Sequence, residues 1–149
     1  MEEKMHVLIV EPGKKPYMKD IDNSLESLQH EVGGWIEATY PYEDSVVLIC
    51  NEEGKLNGLP LNRAIRGDDG EVVDIIAGTF IVAGIGEDDF VSLSDEMTKK
   101  YEEQFATPEM FVRINGKLII LPITEEKEKI GVDGIKKEQN ISPVGKEAR

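Results

Sequence analysis

One cysteine, two histidines and the lack of any long apolar run bound this sequence before any motif is read. Cys50 has no second cysteine with which to close an intramolecular disulfide. It lies in the apolar run Val46-Val47-Leu48-Ile49-Cys50 and reads as a buried, inert thiol. His6, inside an apolar run, and His30, on a helical stretch, have no His or Cys partner at metal-ligand spacing, so no metal site is assigned and both histidines read as structural. No stretch approaches the roughly 18 apolar residues that a membrane span needs. Met1-Glu2-Glu3-Lys4 precedes only a short apolar run, which is not the layout of a signal peptide, and the expected location is the cytoplasm.

Basic charge is also scarce. Seventeen Lys and Arg stand against thirty Asp and Glu, a formal net charge of -13. Phosphate contacts need cations to release counterions, so direct nucleic-acid binding and attachment to anionic membranes are excluded as expectations. A surface that imitates nucleic acid is compatible with the same balance. The acid pairs Glu43-Asp44, Glu52-Glu53, Asp68-Asp69 and Glu102-Glu103 read as solvated surface, because adjacent carboxylates in exposed turns lack the unequal burial that separates two pKa values. Gly84-Ile85-Gly86 is followed by Glu87-Asp88-Asp89, three negative charges where a pyrophosphate would rest. No phosphate-cradling loop and no serine elbow occurs. No catalytic residue and no cofactor is therefore assigned, and the expectation is a protein that binds rather than catalyses.

The chain of 149 residues fits one globular domain over 1–123 and a charged tail over 124–149. The tail carries six acids and six bases, so the acidic excess lies in the body. Met5 to Val10 predicts a strand buried on both faces, ended by Glu11-Pro12-Gly13. A helix is predicted from Asn23, with Glu26 completing a capping box, Leu25, Leu28 and Val32 forming its apolar face and Gly33-Gly34 stopping it. Trp35 to Thr39 and Ser45 to Cys50 form a predicted antiparallel hairpin. Two strand segments follow, Val72 to Ala77 and Thr79 to Ala83, broken at Gly78. A second helix starts at Ser94 with Met97, Tyr101 and Phe105 facing the core. Met110 to Ile114 and Leu118 to Ile123 flank Asn115-Gly116, the strongest hairpin signal in the chain. The fold class is α+β, a mixed and mainly antiparallel sheet with two helices packed on it. The order strand, helix, strand, strand occurs twice at an offset of roughly 70 to 75 residues, which raises two βαββ half-repeats.

Between the two halves lies Asn51 to Arg63, read as a long connection with Gly54 and Gly58 for turns and Pro60 excluding a central strand. It ends in Asn62-Arg63-Ala64-Ile65-Arg66, a cationic cluster in an acidic body. Arginine offers a planar donor fork suited to carboxylate or phosphate. One reading is internal salt bridging to Glu52, Glu53 or Asp68. The other is a small anionic ligand held by Arg63 and Arg66, with Asn57 and Asn62 as amide contacts and Trp35 or Tyr42 as a stacking face. Trp35, after the Gly-Gly stop, reads as ordinary core ahead of a stacking platform.

Four motifs in order, Val10-Glu11-Pro12-Gly13, Val32-Gly33-Gly34-Trp35-Ile36-Glu37, Asn51-Glu52-Glu53-Gly54 with Leu59-Pro60-Leu61-Asn62-Arg63-Ala64, and Ala77-Gly78-Thr79-Phe80, resemble a domain-of-unknown-function family found in phages, plasmids and integrative elements, notably of gut Firmicutes. The resemblance spans Met5 to Ile123 and brings no catalytic residue. What it implies is context: accessory proteins of mobile elements often counter host defence by binding. The two functional expectations are a counter-defence protein that sequesters a small anionic, nucleotide-like ligand, and an acidic protein-interaction module or DNA mimic that inhibits a host restriction or defence enzyme. A homo-oligomer is compatible with either.

Overall fold

A computed structural model describes residues 3–124. The expected tail lies outside the described residues, apart from Thr124. Strand β1, Lys4–Val10, pairs with β2, Tyr17–Asp22, and helix α1, Leu25–Val32, follows. Next come β3, Ile36–Thr39, and β4, Val46–Asn51, then β5, Leu61–Arg66, β6, Val72–Ala77, β7, Phe80–Ile85, and the two-residue β8, Phe90–Val91. Helix α2, Asp95–Gln104, and the hairpin β9, Glu109–Ile114, and β10, Lys117–Pro122, complete the order.

The principal sheet runs β2-β1-β7-β4-β3, with β8 on the end of β7, and every ladder in the described residues is antiparallel. The expected α+β class is what forms. The three inner strands are the three near-continuous apolar runs, as burial on both faces requires. Alternation along β1 divides the core: Leu8 and Val10 face one cluster with Val46, Leu48, Phe80, Tyr101 and Phe105, while Met5, Val7 and Ile9 face another with Leu28, Val32, Val47 and Ile81. Helix α1 covers the second face. Helix α2 and the β5–β6 hairpin, through Ile65 and Ile76, cover the first.

Local chemistry sets most element ends. Ser94 Oγ accepts from Met97 N at 3.2 Å and starts α2 where the sequence predicts. Asn115 and Gly116 sit at φ 52° and 79°, both positive as a type I′ turn demands. Gly33, at φ 82°, ends α1. The cap of α1 is Ser24, whose Oγ accepts from Ser27 N at 3.1 Å, rather than Asn23. Asn23 instead donates its amide to Asp89 and to the Phe90 carbonyl, both at 3.3 Å. Leu25, expected on the apolar face of α1, is exposed in its first turn.

One strand was not foreseen and one expectation is overturned. The segment after Pro16 forms strand β2, an edge strand in which Ile21 is the one buried residue; its charged residues hide the strand from an apolar-run reading. The βαββ repeat does not survive the topology, because β3 and β4 lie in the principal sheet whereas their supposed counterparts β9 and β10 form a separate two-stranded sheet.

Candidate functional site

The connection after β4 is shorter than expected. Asn51 fixes its start, donating Nδ2 to the Val32 carbonyl at 3.1 Å and accepting from Glu53 N at 2.8 Å. Turns closed by Asn57 N to Glu53 O and Leu59 N to Gly54 O bring the chain back by Pro60. Strand β5 then starts at Leu61, so Asn62 and Arg63 lie on a strand, not on a loop.

Burial follows from that placement. Asn62 is 0% and Arg63 1% exposed, and Arg63 is among the largest fully buried side chains. Its Nη2 donates to the Lys14 carbonyl at 2.7 Å and the Phe105 carbonyl at 2.8 Å; its Nη1 donates to Asn62 Oδ1 at 2.8 Å. Asn62 Nδ2 donates to the carbonyls of Val10 at 2.9 Å and Gly78 at 2.8 Å. The pair thus ties the β1–β2 turn, the β6–β7 turn and the end of α2 to β5. Burial lowers the Arg63 pKa from its ordinary value, and the charge of Glu109 opposes the shift. The expected salt bridge to Glu52, Glu53 or Asp68 is replaced by main-chain carbonyls and an asparagine, and the guanidinium is closed to solvent. Its Nε has no hydrogen-bond partner.

The other predicted residues are dispersed. Asn57 is exposed on the loop, and Trp35, at 68% exposure, is neither core nor beside Arg63. Arg66, past the buried part of β5, pairs with Glu109 at 3.2 Å. Of the predicted set, Arg66 and Tyr42 share a cleft. It has a volume of about 360 Å³ and is walled also by Asp68, Lys100, Tyr101 and Gln104. Lys100 Nζ and the Tyr101 hydroxyl both donate to Asp44 Oδ2, at 2.6 and 2.8 Å, and Gln104 donates to the Tyr42 hydroxyl at 3.1 Å. The Lys100 and Tyr101 hydrogen bonds hold the Asp44 carboxyl below its ordinary value, while burial raises both tyrosines. Each cation of this cleft already has a carboxylate.

A second surface was not legible in the sequence. Strand β3 ends the principal sheet, and Trp35 and Tyr40, 68% and 57% exposed, stand at its two ends. Leu56, on the neighbouring loop, is 85% exposed. A hollow of about 310 Å³ lies between Trp35 and the α1 residues Glu26, Gln29 and His30. On the opposite face a pit of about 120 Å³ is lined by Glu37, Cys50, Glu52, Glu53, Lys55 and Asp74. Lys55 pairs with Asp74 at 3.0 Å, and no ion pair forms at Glu37, Glu52 or Glu53 among the described residues. Burial pushes the Cys50 thiol up to about 11, in keeping with an unreactive sulfur. The available signal was an aromatic at each end of a four-residue strand.

His6 also departs from expectation. Its side chain projects from β1 to solvent and meets Asp20, its register partner on β2, at 2.5 Å.

Residues 5–106 match the family model described as a domain of unknown function, DUF3846. The chain belongs to this family. No curated protein and no solved structure matches it. The DUF3846 segment takes in the principal sheet, both helices and the β5–β6 hairpin, and stops short of β9, so the matched region is shorter than the Met5 to Ile123 span of the motif resemblance. Arg63 and all its hydrogen-bond partners, the β3 edge and the cleft walls fall within the DUF3846 segment, whereas Glu109, the partner of Arg66, falls outside it. No helix among the described residues is long and apolar enough to cross a membrane.

Proposed function

We propose that this DUF3846 protein is a non-enzymatic accessory protein of a phage or other mobile element that acts by holding a host defence protein against the β3 side of its sheet. The observation that carries this reading is the exposure of Trp35 and Tyr40 at the two ends of a sheet edge that no described strand covers. Large aromatics supply most of the binding energy at protein interfaces, and here two are held outside a well-filled core. The mobile-element context comes from the motif resemblance. A DNA mimic is the weaker form of the idea, because the acids of β2 alternate with cations: Asp22 pairs with Lys4, and Lys19 with Glu31. Phosphate-like stripes carry acids alone. The test is capture from the host by the full chain and by Trp35→Ala. A defence protein retained by the first and lost by the second is expected; equal retention by both overturns the reading.

A second reading places a small anionic, nucleotide-like ligand in the cleft between Arg66 and Lys100. These two cations share a cavity with the Tyr42 ring, but Glu109, Asp44 and Asp68 compete for them. Calorimetry with linear and cyclic nucleotides, repeated on Arg66→Gln, tests it. Heat that falls at least about tenfold in affinity with the variant supports the site, and no heat with any nucleotide removes it.

A further inference from the structure

We infer that β3 accepts an extended peptide segment of a partner as an added strand, and that this segment alternates basic and apolar residues. The inference rests on the reading of the β3 side as an interaction surface and specifies how that surface binds.

The backbone supplies the first part. Trp35 O accepts from Glu52 N at 2.8 Å, which makes Trp35 and Glu52 a hydrogen-bonded pair of the β3–β4 ladder. In an antiparallel ladder such pairs alternate, and the register sets Glu37 opposite Cys50 and Thr39 opposite Leu48 as the next two. Ile36 and Ala38 therefore turn both their N–H and C=O groups away from β4, toward the edge that no described strand pairs. Two donors and two acceptors stand at the spacing an incoming strand matches.

The two sheet edges differ in how they are blunted. Strand β2 carries Lys19, Asp20 and Asp22, all exposed, and Asp22 forms a cross-strand ion pair with Lys4. Charged edge positions are the ordinary device against strand addition. Strand β3 has the single charge of Glu37.

Side-chain alternation then sets the partner's chemistry. Ile36 and Ala38 pack against the cluster beneath α1, so partner residues on that face meet apolar surface and the Trp35 hollow. Glu37 lies on the other face, above Cys50 and beside Glu52 and Glu53, three carboxylates that form no ion pair among the described residues. Among the described residues the pit's one cation, Lys55, is paired with Asp74, so partner residues on that face meet net negative charge, which selects lysine or arginine. An added strand presents its side chains to the two faces in turn, hence the alternation.

The test uses the full chain and a fluorescent lysine–valine alternating peptide of about eight residues. Three control peptides are its glutamate–valine counterpart, a scrambled form of the same composition, and a form N-methylated at alternate amides. Fluorescence anisotropy should show the first binding at least about tenfold more tightly than each control. Glu37→Lys should reverse the preference between the lysine and glutamate peptides. Hydrogen exchange at the Ile36 and Ala38 amides should be fast in the free protein and slow by at least about tenfold on binding. Equal affinity for the scrambled peptide, or indifference to N-methylation, overturns strand addition in favour of plain charge attraction. Edge amides already slow in the free monomer mean that the chain covers its own edge. Slowing that appears only with protein concentration, together with a dimer in light scattering, means a second copy does; either outcome overturns the proposal. Loss of host capture with Trp35→Ala, with no peptide binding at the edge, retires strand addition and leaves the interaction surface standing. Peptide binding with capture unaffected by Trp35→Ala retires the proposed function instead.

Discussion

Arg63 donates to the carbonyl oxygen of Phe105 at 2.8 Å, joining the middle of β5 to the residue that caps α2. The same nitrogen donates to the Lys14 carbonyl at 2.7 Å, so one buried cation joins two remote chain segments to β5. Replacing it with methionine keeps volume and removes every donor. Four oxygens, those of Lys14, Phe105 and the Asn62 carbonyl and amide, then lose a charged hydrogen bond, and a loss of about 3 to 5 kcal/mol in folding free energy is expected. Urea unfolding of Arg63→Met measures it; a loss below about 1 kcal/mol would show that water replaces the guanidinium at no cost.

Asn62 and Arg63 act as one unit, since Asn62 Oδ1 accepts from Arg63 Nη1 at 2.8 Å while its amide serves two carbonyls. Asn62→Ala should cost about 2 kcal/mol or more, and the double variant less than the sum of the two singles. A coupling of at least about 0.5 kcal/mol in the double-mutant cycle is the expected reading. Strict additivity would separate the two residues.

Gly78 turns the chain between β6 and β7 at φ 84°, and a Cβ added there would meet Leu59 Cδ1 at 2.7 Å. Gly78→Ala therefore combines backbone strain with a clash, and should destabilise by about 2 kcal/mol or more. Adding Leu59→Ala should recover only the part due to the clash. Full recovery in thermal unfolding would assign the whole cost to packing.

Asp44 accepts from Lys100 and Tyr101, and those bonds depress its pKa from the ordinary carboxylate value of 3.8. A depressed folded pKa means stability that is present above that value and is lost as pH falls through the lower one. Lys100, raised from 10.5 first by its hydrogen bond to Asp44, contributes in the opposite sense: its share is present below 10.5 and lost as pH rises through the higher folded value. Asp44→Asn should flatten both limbs of the pH–stability curve. Unchanged slopes in unfolding titrations below about pH 4 and above about pH 10 would place the dependence on other groups.

Trp35→Ala should leave stability within about 0.5 kcal/mol of the parent, because most of the indole is already in solvent. A larger thermal loss would mean that the ring supports α1 and would weaken its use as a probe of partner binding.

Elements whose signals are short-range were legible. Ser94 before two acids starts α2, Asn115-Gly116 makes the last hairpin, and the apolar runs around Leu8, Leu48 and Ile81 become inner strands. Strand β2 was not legible, because an edge strand with charged outward residues has the composition of a loop. The cationic cluster was legible as unusual and misread in position. Arg63 finds its acceptors in Lys14 and Phe105, 49 and 42 residues away, and nothing within a few residues of Arg63 announces either carbonyl.

Sequence alone determined the α+β class, both helices and the burial of Cys50, since each follows from hydrophobic periodicity or from one residue's immediate neighbours. Only the tertiary structure decided that Arg63 is buried while Arg66 is exposed, and that Trp35 stands outside the core at an open sheet edge. The physical reason is the same in both cases. Whether a polar group is buried or an aromatic left in water depends on acceptors and covering surfaces that remote segments supply, and that supply exists only once the chain has folded.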